Sequence, residues 1–492
     1  MKSYITKPKS IKIRTNYSLS ARDYRVLSSK NKNVKILKDI IISEFQWKEI
    51  WSDGYLGQSK YRFLKTGNIW KSSFLLDTGN IEYCFPVNQK HPKDGDILIA
   101  KDGGWDGLWD VILYKKSLEY IDTISAGIHC ITPEHKNRYY IFWLLKTQFF
   151  KNFVDLNTAW WSIIRHAKKI ALDFPLPFPT IKNHPHPEQV EEYISLLAQN
   201  MIDKEEQIKI RNNQIDGLIG KELQENQKQN IFTYTIPKIS ELKMEGRLDA
   251  WYYGEKYKKE DSYFKYYTWW YHDMFSLGYE ISRWQNLQVS NIGESWYFDE
   301  YKKWSYRLLL SKYFGNRIIE RFSYIWNKCE LKTIKKWDII FSCRWEMWRA
   351  YYFPEEIENT ITNIDNVHII ATSRSIEEKT YLFCILWFLK KKWILDSIAC
   401  TGSGAPSFTK YQFEKLKIPN FPDSKQQELA KLYYHTISNN TDLTLETYLE
   451  RERIRNSEVG IFQLNMEIFA LREKLEETID RIVMESIVEI VF

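Results

Sequence analysis

The sequence predicts an α+β fold in which two pseudo-repeated, mixed α/β domains are separated by two long antiparallel coiled-coil helices. Two observations predict it. The first is an internal repeat at an offset near 243 residues, in which each half has a strand-like run, an apolar helix, a polar loop, a basic segment and a proline-bounded stop. The second is a long heptad stripe of apolar residues that closes each half.

The repeat is carried by the order of its segments more than by residue identity. KDGDILIAKDG at 93–103 resembles KKWDIIFSCRW at 335–345, and the segment 158–179 aligns without a gap on 401–422. Short β-type runs punctuated by Gly, Asp and Asn lie at the front of each half. The order of the segments therefore predicts two domains with one common plan.

The heptad stripes define the helical segments, because apolar residues recur there in steps of three and four or of whole heptads. The residues expected to pack the two helices are Val190, Ile194, Leu197, Met201, Ile208, Ile215, Ile461, Leu464, Ile468, Leu471 and Leu475. The predicted boundaries are 1–185 for the first domain, 186–230 for the central helix, 231–423 for the second domain and 424–492 for the C-terminal helix.

Bulk composition narrows the class of protein. The chain has 492 residues, 44% apolar and 27% charged, which is typical of a globular protein of several domains. It has no apolar run long enough to cross a membrane, and its N-terminus lacks the apolar core of a signal peptide, so we expect a cytoplasmic protein. The six cysteines form no CxxC pair, which argues against a zinc ribbon. A net charge of +7 permits an anionic partner such as nucleic acid.

The stretch TGSGAPSFTK at 401–410 places two glycines beside hydroxyl groups and a lysine, in a chain with only 19 glycines. Small residues let a backbone approach a phosphate closely, with N–H groups and hydroxyls as donors. An ordinary helix start, with Ser407 or Thr409 as the N-cap, explains the same pattern. The two interpretations are compatible, since a helix N-terminus also attracts phosphate.

The order of these segments resembles that of the specificity subunits of type I restriction-modification systems, over nearly the whole chain. The resemblance is carried by RLDAWYYGEKY (247–257), GDILIAKDG (95–103), TGSGAPSFTK (401–410), SKQQELAKL (424–432) and DGLIGKELQ (216–224). It departs from the family where tryptophans stand in glycine-like places and where the loop of the first domain lacks glycine.

The resemblance implies that each domain is a target-recognition domain that reads one half of a split DNA sequence. It also implies that the two helices hold the domains apart and dock two methyltransferase subunits, with a restriction subunit bound through them. The cofactor S-adenosylmethionine is then expected in the partner subunits and not in this chain, which is expected to be non-catalytic.

Candidate DNA-contacting residues lie in matching places of the two halves. In the second half they are Thr401, Gly402, Ser403, Gly404, Ser407, Thr409 and Lys410. In the first half they are Ser162, Arg165, His166, Lys168 and Lys169. Arginine and lysine are the side chains that most often read guanine in the major groove.

Two further groups of candidates are DNA-facing loops or plain turns. The group early in each half consists of Lys65, Thr66 and Asn68 in the first and of Ser290 and Asn291 in the second. Lys101 and Arg344 follow equivalent strands at an offset of 243, where a cation is a DNA contact or simply a solvated strand end.

Catalytic motifs were sought as the rival explanation. The sequence contains no NPPY-like or Pro-Cys methyltransferase segment, no P-loop, no GxSxG elbow and no E-x-K element at the spacing of a metal-dependent nuclease. No metal site is predicted. Three alternatives remain: the recognition subunit of another two-chain restriction system, a nuclease with a degenerate metal site, and a helical scaffold without a DNA role.

Tryptophan is unusually frequent, with 20 residues, several of them where a turn favours glycine. They occur in GGWDGLWD (103–110), TAWWS (158–162) and CRWEMWR (343–349). Trp160, Trp161, Trp337 and Trp345 stand in glycine-like places. One hypothesis is that these are UGA codons which the source organism translates as glycine.

Overall fold

The computed structural model describes residues 29–46, 50, 52–70, 72–77, 81–86, 90–103, 109–157, 165–166, 169–228, 232–245, 250–268, 271–298, 301–344, 348–370, 373–399 and 407–492, with the backbone alone at 103, 156 and 165–166. The chain divides into two compact units. The first consists of residues 1–206, 439–456 and 467–492, and the second of 207–438 and 457–466.

The strands of the described residues are numbered along the chain. They are β1 (Val34–Ile36), β2 (Ile41–Phe45), β3 (Tyr55–Leu56), β4 (Tyr61–Leu64), β5 (Glu82–Cys84), β6 (Ile97–Ala100), β7 (Asp102–Gly103), β8 (Val111–Leu113), β9 (Ile121–Ile124), β10 (Ile128–Pro133), β11 (Arg165–His166), β12 (Pro175–Pro177), β13 (Tyr271–Asp273), β14 (Glu280–Arg283), β15 (Ser295–Phe298), β16 (Tyr306–Leu308), β17 (Ser323–Asn327), β18 (Ile339–Ser342), β19 (Ala350–Tyr352), β20 (Thr360–Ile361), β21 (Asn366–Ile370) and β22 (Lys417–Pro419).

The α-helices of the same residues are α1 (Thr66–Trp70), α2 (Arg138–Lys146), α3 (Gln148–Asn157), α4 (Pro187–Glu225), α5 (Ile239–Glu245), α6 (Ala250–Tyr253), α7 (Glu255–Lys265), α8 (Val289–Ile292), α9 (Ile376–Lys391), α10 (Ile394–Ile398), α11 (Lys410–Glu414), α12 (Asp423–Tyr433), α13 (Tyr448–Asn456) and α14 (Ile461–Val483). Short 3-10 helices lie at Leu37–Asp39, Ser52–Gly54, His135–Asn137, Ile170–Asp173 and Ser311–Tyr313.

The two units repeat one sheet topology. One sheet has the order β2-β10-β6-β8 in the first unit and β14-β21-β18-β19 in the second. Another has the order β3-β5-β4-β9 in the first and β15-β17-β16-β20 in the second, and in both its last pair is parallel. The pair β1-β12 corresponds to β13-β22. The predicted α+β fold with two pseudo-repeated domains and a long helix is thereby confirmed.

The strand register corrects one detail of the repeat. Lys101 N–H donates to the carbonyl of Gly127, and the equivalent bond of the second unit runs from Cys343 N–H to the carbonyl of Asp365. Lys101 therefore corresponds to Cys343, so its predicted equivalence with Arg344 is wrong by one residue. The strands β6 and β18 align at an offset of 242, which is the offset between KDGDILIAKDG and KKWDIIFSCRW, and not at 243.

The sheets form where the sequence has short continuous apolar runs. All four residues of β6 and of β18 are buried, as expected for a central strand that is covered on both faces. In the first unit the core is built around Leu64, Leu98 and Ile112. In the second unit α9 begins with a capping box made by Ser375 and Glu378, a pattern that satisfies the free N–H groups of a helix start.

The apolar stripe of α4 is buried, both in the part of the helix that belongs to the first unit and in the part that belongs to the second. The predicted packing residues are buried except Leu471, which is half-buried. Within the first unit α4 and α14 run antiparallel, because Lys204 contacts Glu467 while Tyr193, further toward the start of α4, lies beside Lys474.

The C-terminal segment 424–492 is not one helix. It consists of α12, a non-helical stretch, α13 and α14. Gly460 lies at the break between α13 and α14, and a Cβ atom there would come within 2.5 Å of the backbone nitrogen of His435. The chain turns here because only glycine permits this close backbone approach.

Left-handed backbone conformations are concentrated at tryptophans. Among the described residues that are not glycine, positive φ angles occur at Trp109, Arg317, Trp337, Trp348, Asn359, Trp393, Asp442 and Glu485. Half of these are tryptophans, although tryptophan makes up 20 of the 492 residues. Trp160, Trp161 and Trp345 lie outside the described residues.

No helix within the described ranges is long and apolar enough to cross a membrane.

Candidate nucleic-acid interface

The glycine-containing stretch of the second unit is described only at its end. Thr401, Gly402, Ser403 and Gly404 lie outside the described residues. Ser407 forms a β-bridge with Arg344, which anchors the end of the stretch to the residue that follows β18 by two positions. Its attachment point is thus the end of a central strand of the sheet.

Thr409 is the N-cap of α11. Its hydroxyl accepts a hydrogen bond from Gln412 N–H at 3.2 Å, and the Gln412 side chain accepts from Thr409 N–H at 2.9 Å. The ordinary helix start that the sequence allowed is therefore present, with Thr409 and not Ser407 as the cap. Lys410, the next residue, has a side chain that is 70% exposed and lies 3.5 Å from Glu414.

We expect Thr409→Ala to lower the free energy of unfolding by about 1 kcal/mol, because the Gln412 N–H group in the first turn of α11 loses its side-chain partner. Thermal or urea denaturation measures this loss. Thr409→Ser is the control, since serine restores the cap. A loss of stability with serine equal to that with alanine would contradict the capping role.

The matching segment of the first unit is anchored in the same way. Ser162 and Lys168 lie outside the described residues, and for Arg165 and His166 only the backbone is described. The strand β11 formed by these two residues pairs with β7, with His166 opposite Asp102. His166 therefore corresponds to Ser407, so the gapless alignment of the two segments is wrong here by two residues.

Several candidates of the first unit converge at the end of β6. Lys101 and Lys169 lie close enough for the charge of Lys169 to act on Lys101. Thr66 and Asp102 both flank Gly127, where a Cβ atom would lie 2.7 Å from the Thr66 methyl group and 3.2 Å from an Asp102 carboxylate oxygen. The start of α1, the end of β6 and the β7-β11 pair therefore form one group, here called the strand-end cluster.

Lys169 and Lys101 of this cluster are held by a salt bridge and a hydrogen bond, respectively. Lys169 Nζ lies 2.6 Å from one Glu44 oxygen, and the other Glu44 oxygen is bonded to His129 Nε2. Burial acts to raise the pKa of Glu44, but hydrogen bonds from Lys169 and His129 lower it below its ordinary value. Lys101 donates to the Gln46 amide oxygen at 2.8 Å, and burial lowers its pKa.

The two early groups of candidates occupy different places in the fold. Lys65 precedes α1, where its side chain contacts Glu82 at 2.5 Å and its N–H donates to the Asn68 side chain at 2.8 Å. Ser290 and Asn291 lie in α8, which precedes β15, whereas α1 follows β4. Since β4 corresponds to β16, the two groups are not equivalent, although Ser290 and Asn291 are exposed.

Metal chemistry finds no support in the described part of the chain, which contains no group of three or more His, Cys, Asp or Glu residues able to hold an ion.

Comparison with known proteins identifies one domain of the chain. Residues 311–448 match the family model described as Type I restriction modification DNA specificity domain. The match runs from the turn after β16 to the first residue of α13, and so includes Arg344 and Thr409. The family resemblance of the sequence is thereby confirmed for residues 311–448, which carry a DNA specificity domain of the type I restriction-modification family.

Similar solved structures bear related descriptions. The S subunit of a type I restriction-modification system from M. genitalium is 11% identical, with 92% of this chain and 98% of that chain covered and a TM-score of 0.39. The HsdS subunit from Thermoanaerobacter tengcongensis is 12% identical, with coverages of 92% and 96% and a TM-score of 0.26. No curated protein matches the chain.

Proposed function

We propose that this chain is the non-catalytic subunit that reads a bipartite DNA sequence, with one half-site contacted by each unit. The observation that carries the proposal is the duplicated sheet topology, in which a loop segment is anchored beside the end of the same central strand in both units. Because the two units share one topology but carry different side chains, they would read two different half-sites of a split, asymmetric target. The specificity domain at 311–448 supports the same conclusion.

The strand-end cluster supplies the chemistry for DNA contact in the first unit. Lys101 and Lys169 place cations there, and the start of α1 adds the Thr66 hydroxyl. Contacts of this type to phosphate oxygens fix orientation, whereas side chains of the adjoining loops read base edges. In the second unit Arg344 lies at the corresponding strand end, and Lys410 follows the anchored segment.

The partners are two methyltransferase subunits, which bind S-adenosylmethionine and dock on the helical segments, and a restriction subunit bound through them. The long helix α4 and the antiparallel α14 offer the docking surface and serve as the spacer. The chain itself transfers no methyl group and acts in the cytoplasm.

The test is a map of modified adenines in an unmethylated host that expresses this chain with its neighbouring methyltransferase subunit. A split motif that disappears when this chain is omitted establishes the specificity role. A methyltransferase subunit that modifies the same motif without this chain would contradict the proposal.

Removal of one heptad from each of α4 and α14 is expected to change the length of the gap and leave both half-site sequences as they were. The reason is that a heptad preserves the apolar stripe while it shortens the spacer by about 10 Å. Half-sites that face one side of DNA are about one helical turn apart, so the gap should change by about three base pairs. Altered half-site sequences with an unchanged gap would refute the spacer role.

A further inference from the structure

The second unit has a sheet face on which aromatic side chains are exposed. In β15 and β17, Trp296 lies opposite Trp326 and Phe298 opposite Tyr324. Since residues paired across antiparallel strands share a face, these four rings lie on one side of the sheet. Tyr301 and Trp304, from the connection to β16, contact Tyr324 and Phe298 at ring separations of 5.6 and 5.3 Å. These six residues are called the aromatic face.

The opposite side of the same sheet is the core. Ile325 and Leu308, which alternate with the aromatic face residues along β17 and β16, pack with Ile292, Leu331 and Ile361. The apolar residues that join this sheet to the core are therefore on the other side. Yet Trp296 is 56% exposed and Trp304 is 57% exposed. Aromatic residues that the core does not need and that lie together on the surface indicate a binding site.

Cations accompany the aromatic face. The guanidinium of Arg307 lies 4.8 Å from the Tyr301 ring centre, and Lys302 and Lys303 are in the adjoining connection. Residues 301–332 contain eight Lys or Arg and two Glu, so their net charge is +6, against +7 for the whole chain. The segment that contains β16 and β17 is thus strongly basic.

The equivalent sheet of the first unit keeps part of this arrangement, because Tyr83 and the exposed Phe85 stand at the places of Tyr324 and Trp326, but its arginine is neutralised. Arg62 of YRFL corresponds to Arg307 of YRLL, because each lies opposite a tyrosine of the neighbouring strand. Two hydrogen bonds of 2.7 and 2.8 Å to Asp122 neutralise Arg62, which is 6% exposed. At the position of Asp122 the second unit has Thr360, which carries no charge.

The rings also differ between the units. Phe298 occupies the place of Leu56 in the edge strand β3 of the first unit, and Trp296 that of Gly54, which directly precedes β3. The shared fold therefore does not require aromatic residues there. What is peculiar to the second unit is the combination of paired rings with an arginine that has no carboxylate opposite it in the sheet.

We propose that the aromatic face binds unpaired bases of single-stranded nucleic acid, an activity beyond the reading of duplex DNA. Every base offers a flat face that stacks on Trp, Tyr or Phe, and Arg and Lys attract the phosphates between bases. Bases within a duplex are stacked on each other and cannot take this position. A four-stranded sheet with exposed aromatic residues is also the arrangement by which common single-strand binding domains hold RNA.

The test uses the full chain and a fluorescent oligothymidylate of about 12 nucleotides, which forms no duplex. We expect Trp296→Ala to weaken binding about tenfold and Trp296→Phe to weaken it much less, because phenylalanine keeps a stacking surface. Arg307→Gln should reduce the dependence of affinity on salt. Tyr411→Ala is the matched control, since Tyr411 is 71% exposed on α11 and lies outside the aromatic face. The same assay with oligouridylate distinguishes RNA from DNA as the ligand.

Equal affinity of wild type and Trp296→Ala for oligothymidylate would overturn the proposal. The proposal would also be overturned if Trp296→Ala no longer bound methyltransferase subunits on gel filtration but kept its affinity for single strands. The aromatic face would then be a protein interface. Mapping of modified adenines with Trp296→Ala separates this proposal from duplex reading. If Trp296→Ala weakens single-strand binding and leaves the methylation motif unchanged, the single-strand proposal and the duplex-reading proposal are both supported. If the chain binds single strands through Trp296 but directs no methylation, only the duplex-reading proposal is refuted.

Discussion

Replacement of Lys204 by methionine is expected to lower the free energy of unfolding of the first unit by about 3–5 kcal/mol. Lys204 is 1% exposed, and its Nζ contacts Glu467 at 2.6 Å, Glu452 at 3.2 Å and the Asn456 side chain at 2.6 Å. Arg455 bonds to Glu467 from the other side. Two cations and two carboxylates balance each other, and methionine would leave an excess buried negative charge.

Urea denaturation of the full chain, followed by circular dichroism, measures this effect. Lys221→Met is the matched control on the same helix, because the Lys221 side chain is 69% exposed and its partner Glu225 is 3.8 Å away. An exposed pair of this kind contributes about 0–1 kcal/mol. Equal effects of the two substitutions would show that the buried network does not stabilise the unit.

A second variant tests the charge balance itself. Lys204→Met combined with Glu467→Met removes one charge of each sign and leaves Arg455 with Glu452, which are 3.6 Å apart. We expect the double variant to regain about 1–3 kcal/mol relative to the sum of the two single variants. Strict additivity of the single effects would contradict the coupling.

The same network predicts a loss of stability in acid. Burial acts to raise the pKa of Glu452, but the charges of Lys204 and Arg455 outweigh it and lower the pKa below its ordinary value of 4.5. A carboxyl group whose pKa is lowered by folding stabilises the fold above its unfolded pKa, and this contribution disappears as the pH falls through the folded pKa. In Lys204→Met the loss below pH 4.5 should be smaller, because the main cause of the lowered pKa is absent.

The position of Lys204 shows what the sequence pattern could and could not predict. The steps of three and four from Val190 through Met201 to Ile208 predict a buried stripe, and these residues are buried. The same steps fall on Lys204 and Arg211, which are also buried, at 1% and 5% exposure. A pattern of apolar residues gives no sign of a buried charge such as Lys204, because its partners lie about 250 residues away in α13 and α14. Polar residues at such positions fix the register of paired helices.

The candidate interface was likewise predictable from the sequence only in part. The order of segments predicted candidates in matching places of the two halves, whereas the pairing of β7 with β11 and of Arg344 with Ser407 is given only by the structure. The two-residue shift between the segments 158–179 and 401–422 was not predictable, because register depends on backbone hydrogen bonds between distant strands. The aromatic face was missed, since its residues look like ordinary alternating strands in the sequence.

Replacement of Trp337 or Trp393 by glycine is expected to raise the free energy of unfolding by about 1 kcal/mol each, which is the opposite of the usual effect of glycine. Trp337 corresponds to Gly95: each N–H donates to the strand that returns from the hairpin, and the φ angles are 77° and 82°. In each case the next residue, Asp338 or Asp96, bonds back to a lysine carbonyl and closes the turn. This third position of a turn with positive φ favours glycine.

Trp393 follows the C-terminal cap of α9 and has a φ of 63°. Its N–H donates to the carbonyl of Lys390 at 3.0 Å, and its side chain is 58% exposed. The residue in this place after a helix is commonly glycine. Because Trp393 is mostly exposed and Trp337 is half-buried, glycine removes backbone strain at both positions with little loss of packing.

Trp348→Gly is the control for these two substitutions, because it shows whether glycine stabilises only the turn positions or any tryptophan with a positive φ angle. Trp348 also has a positive φ, of 63°, but it is 1% exposed and packs against Phe408 at a ring separation of 4.8 Å. Trp348→Gly should therefore destabilise by about 3–5 kcal/mol, because the cavity outweighs the relief of strain. If the hypothesis of UGA codons translated as glycine is right, codons 337 and 393 are UGA and peptides from the source organism have the mass of glycine there. UGG at both codons would refute it, and the strained turns would then belong to the natural protein.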